Sequence, residues 1–171
     1  MIVIRRIGRD RAADADLPNE AFALWGRMIP SLSDGRWDYR IEATEAGEDI
    51  FPDEKHDVGE AGAIFLGAYD GETCVGLAVL RKATFRYLYL DDLKVSAAWR
   101  GQGIGGALIE AGMEEARKLG LRGLYTVGQD NNASACLFYL KQGFSIGGFD
   151  NRAYRGTPQE HKADIYFYRD C

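Results

Sequence analysis

Leu93–Gly105 reads LKVSAAWRGQGIG, and its reading decides the rest of the chain. Tyr87–Val95 carries aromatic and aliphatic residues on both faces, the composition of a β-strand. Beyond the glycines, Ile104, Leu108, Ala111, Met113, Ala116 and Leu119 recur mostly three or four residues apart, which predicts an amphipathic helix. Gly101, Gly103, Gly105 and Gly106 therefore stand where a helix begins, with Arg100 beside them. Glycine leaves the backbone open to close approach, and the unpaired N–H groups of a helix start favour an anion. The stretch predicts a phosphate cradle.

Three cradles come into question. A P-loop needs a Gly-Lys-Ser/Thr ending, and none follows here. A dinucleotide loop, G-x-G-x-x-G, is matched by Gly101, Gly103 and Gly106, with Asp130 roughly where a ribose-binding acid belongs. That loop turns tightly from its strand, whereas Ser96–Arg100 intervenes here, and too little chain remains for repeated strand–helix units. The third form, R/Q-x-x-G-x-G/A, holds the pyrophosphate of coenzyme A, and Arg100, Gly103 and Gly105 fill it after an LxV strand. An ordinary glycine-rich turn is the plain alternative to all three.

A second segment bears on the choice. Asn132–Phe144, NASACLFYLKQGF, reads as a short helix closed by Gly143. Asn132, Ala135 and Tyr139 share one face, and at 1.5 Å per residue they span roughly 10 Å, comparable to much of a pantetheine arm. Taken alone, Tyr139 reads first as a core residue on an amphipathic helix.

Together, LKV…RGQGIG and N-x-x-A-x-x-F-Y-x-x-x-G-F resemble the GNAT superfamily of acetyl-CoA-dependent N-acetyltransferases, over Tyr87–Phe144. Further likeness lies in PNEAFALWGRMIP (18–30), YLYLDDLKV, DNNASACLFYLKQGFSIGGFD and the tail IYFYRD, and points to members that inactivate a polycationic antibiotic. The resemblance implies an α/β fold with a mixed, mostly antiparallel sheet flanked by helices. It implies acetyl-CoA as co-substrate, held by Leu93, Lys94, Val95, Arg100, Gly101, Gln102, Gly103, Ile104, Gly105, Gly106, Asn132 and Ala135. Tyr139 matches the general acid that protonates the departing thiolate. Asp91, two residues before the LxV leucine, matches the acid that deprotonates the amine; Asp92 and water are the alternatives. Strict alternation in a strand sends Asp91 and Asp92 to opposite faces.

Composition limits the partners. The chain has 171 residues, 46% hydrophobic and 27% charged, and is expected to form one domain over 1–171. A net charge of −5 and a pI near 5.1 argue against nucleic acid and suit a small cationic amine. There is no run of about 18 apolar residues and no signal peptide at the N-terminus, so neither a membrane span nor export is expected, and the cytoplasm is the expected location. Three cysteines without metal spacing and two histidines support neither a disulfide framework nor a metal site. A homodimer is compatible with this reading.

Elsewhere, Ile2–Ile7 is expected as an edge strand and Pro18–Ile29 as a helix with an apolar stripe, stopped by Pro30. The resemblance lays that region over the acceptor, which makes Trp37 and Tyr39 substrate contacts. Residues 43–62 are acidic and expected as a solvated loop, or as a lid whose carboxylates meet a cation. Asp70-Gly71 predicts a hairpin between 63–69 and 72–82. Strands are expected over 85–95, 121–127, 144–149 and 163–169. A protein or peptide amine, a polyamine, or a non-catalytic acyl-CoA sensor are the competing functions; retention of Asn132, Tyr139 and an acid at 91 speaks against the sensor.

Overall fold

The computed structural model describes residues 1–171, which divide into two compact units. Met1–Glu20, Phe51–Leu124 and Asp170–Cys171 form one; Ala21–Ile50 and Tyr125–Arg169 form the other.

In the first unit, β1 (Ile2–Arg6), β4 (Ala63–Asp70), β5 (Thr73–Lys82) and β6 (Tyr87–Val95) lie in the order β1-β4-β5-β6, every neighbour antiparallel. Strands β4 and β5 read as nearly unbroken apolar runs, AIFLGAYD and TCVGLAVLRK, because both of their faces are covered. Their hairpin turns at Asp70-Gly71 as expected, with Gly71 at φ +58°. One face packs Phe65, Tyr69, Leu77 and Val79 against Ile7, Ala15 and Leu17, around the 3-10 segment Arg9–Asp16. Across β1, β4, β5 and β6 runs α1 (Ile104–Lys118), whose Ile104, Leu108, Ile109, Met113 and Ala116 are buried. The helix comes so close to β5 that a Cβ on Gly76 would stand 3.2 Å from Leu108 and 3.3 Å from Ile104.

The second unit holds most of β7 (Gly123–Gln129) and β9 (Asp164–Asp170) and all of β8 (Ser145–Asp150), neighbours in the order β7-β9-β8 with β8 and β9 antiparallel. Between β7 and β8 lies α2 (Ala133–Lys141). The expected helix over Pro18–Ile29 does not form. Phe22–Ser33 is instead a strand, β2, paired antiparallel with β3 (Arg36–Asp49) through a turn at Asp34-Gly35. Both turn residues have positive φ, +52° and +73°, the geometry that matches the twist of a hairpin. That D-G signal is identical to the one at 70–71. The apolar residues of 22–29 suit a strand as well as a helix, since a short apolar run does not distinguish the two. Pro30 lies within β2 opposite Tyr39, where a two-stranded ribbon tolerates a missing N–H.

The hairpin also revises the acidic stretch. Residues 43–49 belong to β3, and only 50–62 is without strand or helix. Even there three of the four acids are tied down: Asp53 accepts from the Asn19 backbone at 2.7 Å, Asp57 from Gly59 at 2.8 Å, and Glu60 pairs with Arg81.

Candidate active site

Strand β6 enters the loop as the spacing predicts, but with a shift of register that strict alternation does not foresee. Val79 opposes Asp92 while the next residue, Leu80, opposes Leu90, so Asp91 is the extra residue of a β-bulge. A bulge re-aims side chains, and the assignment of Asp91 and Asp92 to opposite faces by alternation does not carry through it. The two acids have separate partners. Arg81 Nε donates to Asp91 Oδ2 at 2.7 Å, and the same guanidinium reaches Glu60. Lys94 Nζ lies 3.0 Å from Asp92 Oδ2 and donates to Asn19 Oδ1 at 3.1 Å. The Lys94 side chain is 11% exposed and pairs with Asp92 and Asn19.

His56 completes this cluster, and sequence reasoning missed it. Its side chain is 2% exposed, with Nε2 3.9 Å from Asp92 Oδ2 and without a hydrogen-bond partner. The imidazole rests 5.6 Å from the ring of Phe65, and the His56 backbone N–H donates to Asp16 Oδ1 at 2.9 Å. The signal available was its rarity, one of two histidines in the chain.

After β6 comes the 3-10 turn Ala97–Trp99 and then the glycine loop. Gly101 and Gly103 have φ of +74° and +81°, a left-handed conformation that glycine adopts without the Cβ penalty. Gly103 is the N-cap of α1, so the first-turn N–H groups of Ile104, Gly105 and Gly106 have no side-chain cap. A Cβ on Gly101 or Gly103 would meet nothing within 4 Å. Open backbone and uncapped amides at a helix start fit a pyrophosphate. Arg100 is exposed but engaged: Nε donates to Val95 O at 3.0 Å and Nη2 to Glu20 at 2.9 Å, while Glu20 also accepts from Ala97 N–H at 2.8 Å. Gln102 Nε2 reaches only the carbonyl of Ala98, at 3.5 Å.

In the second unit, Asn132 is the N-cap of α2, and its Oδ1 accepts from Ala135 N–H at 3.3 Å. Asn132 and Ala135 are thus adjacent, as the three-residue spacing requires, and one lone pair of Asn132 already serves the helix. Tyr139 is half-buried, its ring 5.6 Å from those of Phe138, Phe144 and Phe167. The ring is therefore held by core aromatics while part of the side chain meets solvent. Cys136, one turn earlier, is wholly buried and its thiol is pushed up to about 12 by that burial, which leaves it an inert core residue.

Asp130 answers the dinucleotide alternative. It is buried, with Oδ1 accepting from Ala163 N–H at 3.0 Å and Oδ2 3.3 Å from Arg27 Nε, so it ties β2 to the residue before β9. Trp37 and Tyr39 lie on β3 opposite Leu32 and Pro30, Tyr39 41% exposed.

Comparisons with known proteins bear on the family and the fold. Residues 29–144 match the model of the Acetyltransferase (GNAT) family. Streptothricin acetyltransferase A of Bacillus subtilis (strain 168) is 34% identical over 160 residues, covering 91% of this chain and 92% of that protein. Streptothricin acetyltransferase of Streptomyces lavendulae is 31% identical over 132 residues, covering 71% and 69%. A crystal structure from Bacillus anthracis, described as a streptothricin acetyltransferase in complex with acetyl coenzyme A, superposes with a TM-score of 0.88 at 26% identity over 100% of both chains. The family uses acetyl-CoA as co-substrate. No helix is long and apolar enough to cross a membrane. The chain belongs to the GNAT family and is an acetyl-CoA-dependent N-acetyltransferase.

Proposed function

We propose that the enzyme acetylates a primary amine of a small cationic acceptor, streptothricin, and so confers resistance to it. The observation that carries this is the match to the Bacillus subtilis streptothricin acetyltransferase over 91% of this chain and 92% of that one. An acidic protein of net charge −5 suits such an acceptor.

An acceptor amine arrives protonated, and a free pair on nitrogen is needed before it can attack a thioester. In this reading the adjacent carboxylates Asp91 and Asp92 serve that need. Asp91, held by Arg81 at 2.7 Å, contributes fixed negative charge. The backbone of Leu93, Lys94 and Val95 pairs with pantetheine as an added strand, and an N–H there polarises the thioester carbonyl. The amides of residues 101–106 hold the pyrophosphate. Tyr139 protonates the sulfur as it leaves. Trp37 and Tyr39 contact the acceptor. The protein acts in the cytoplasm, where acetyl-CoA is made.

Thiol release from acetyl-CoA, followed with a panel of amines, tests the proposal. Streptothricin is expected to give the highest kcat/KM, falling with salt mainly through KM, because the Debye length shrinks from about 10 Å at 0.1 M to about 3 Å at 1 M. A neutral monoamine responds far less. Turnover with a peptide amine but with neither streptothricin nor a polyamine would move the acceptor to protein.

A further inference from the structure

We propose that His56 is the positioning residue of Asp92, and that it takes over the proton which Asp92 removes from the acceptor's ammonium. This rests on the reading above, in which the acceptor meets the acids of β6. A buried polar nitrogen without a partner is rare in a folded protein and calls for a reason. His56 Nε2 is such an atom, and it lies 3.9 Å from Asp92 Oδ2. That gap is less than 1 Å beyond hydrogen-bond range, and catalytic hydrogen bonds are often long before substrate arrives. The ring is fixed by its packing on Phe65 and by the Asp16 bond to its backbone, so the residue that moves is Asp92, whose side chain is 23% exposed.

The charges around the imidazole favour this passage. Lys94 Nζ lies 3.0 Å from Asp92 Oδ2, a fixed positive charge beside the carboxylate. An imidazole is by nature a stronger base than a carboxylate, so a proton taken up by Asp92 has an acceptor 3.9 Å away. Asp16 faces the backbone of His56, and Phe65 brings no charge. Asp57, two positions from Lys55, is engaged by the Gly59 backbone.

The step balances as follows. One N–H bond of the ammonium breaks, and the proton passes to Asp92 Oδ2 and then to the lone pair of His56 Nε2. The pair left on nitrogen forms the C–N bond to the acetyl carbon. As the tetrahedral adduct collapses, the C–S bond breaks with its pair on sulfur. The nitrogen loses a second proton, which ends on that sulfur, and the imidazolium gives the first to water.

Two independent measurements test the proposal. In the free protein, 15N NMR of the imidazole at neutral pH is expected to show Nε2 without a proton, with a shift that moves in Asp92→Asn. An Nε2 that carries the proton, or one blind to Asp92→Asn, would overturn it, and this readout does not depend on which amine is acetylated. A wild-type enzyme that acetylates no amine would instead defeat the proposed function alone. Kinetically, His56→Gln keeps a polar group of similar reach but no base. It is expected to lower kcat more than tenfold, to abolish the acid limb of the kcat profile and to leave KM for acetyl-CoA unchanged. The double variant His56→Gln/Asp92→Asn should be little worse than Asp92→Asn alone, since the two act as one unit. A His56→Gln enzyme with normal kcat and an unaltered profile would return His56 to a packing role.

Discussion

Arg81 Nε donates to Asp91 Oδ2 at 2.7 Å, and the same guanidinium bonds Glu60, so the acid placed by motif two residues before Leu93 is tied to a permanent cation. The arginine is held even more firmly in its charged form by the Glu60 and Asp91 hydrogen bonds. Asp91 is thus committed to Arg81, whereas Asp92 has His56 Nε2 3.9 Å away as an onward acceptor. Asp91→Asn is therefore expected to lower kcat less than about tenfold, and Asp92→Asn by roughly 10²–10⁴-fold, the usual worth of a proton acceptor. Steady-state kinetics with the proposed acceptor decide between them; the reverse order would make Asp91 the proton acceptor.

The glycine loop is tested by two substitutions at one position. Gly103 sits at φ +81° with open space where a Cβ would be. Gly103→Ala adds only left-handed strain, about 1–2 kcal/mol. Gly103→Glu adds the same strain plus an acid in the anion cradle. Calorimetry with coenzyme A should show binding weakened in the first and lost in the second. Equal affinity in a folded Gly103→Glu protein would remove the loop from the cofactor site.

Tyr139→Phe removes one hydroxyl and keeps the contacts of the ring with Phe144 and Phe167. If the phenol is the acid, kcat falls by roughly 10²–10⁴-fold while coenzyme A affinity and thermal stability stay near wild type. Unchanged turnover would leave Tyr139 as a core aromatic only.

Acid sensitivity should trace in part to Glu115. It is a buried carboxylate on α1, where burial alone would push its pKa up, yet Arg6 and Lys118 outweigh burial and hold it below the ordinary glutamate range. A depressed carboxylate stabilises the fold above its unfolded pKa, about 4.3, and loses that contribution as pH falls through its folded value. Arg6→Met should cost about 1–2 kcal/mol at pH 7, less than a fully buried pair because Arg6 is 61% exposed, and should flatten the acid slope. Urea unfolding of both proteins between pH 3 and 7 measures the difference.

Much was legible in the linear chain because it is local. The alternation and apolar runs of β4, β5 and β6, the Asp70-Gly71 turn, the period of α1 and the glycines before it each depend on residues a few positions apart. So does the Asn132–Ala135 pairing at the start of α2. Phe22–Ser33 shows the limit of local reading: its apolar residues fit a helix face or a strand equally well, and pairing with Arg36–Asp49 selects the strand. The decisive signal, Asp34-Gly35, lies just beyond the expected helix.

The sequence by itself determined the strand–loop–helix that suits coenzyme A, because a left-handed glycine turn and an amphipathic helix are properties of short segments. Only the tertiary structure decided what its charged residues do. Arg81 is ten positions from Asp91, Asn19 is 75 from Lys94, Glu20 is 80 from Arg100, and His56 reaches Asp92 from a segment without regular structure. Ion pairs and buried imidazoles have no period along the chain. They arise where folding brings distant residues within about 4 Å, and there the β-bulge at Asp91 gives neighbouring aspartates separate partners.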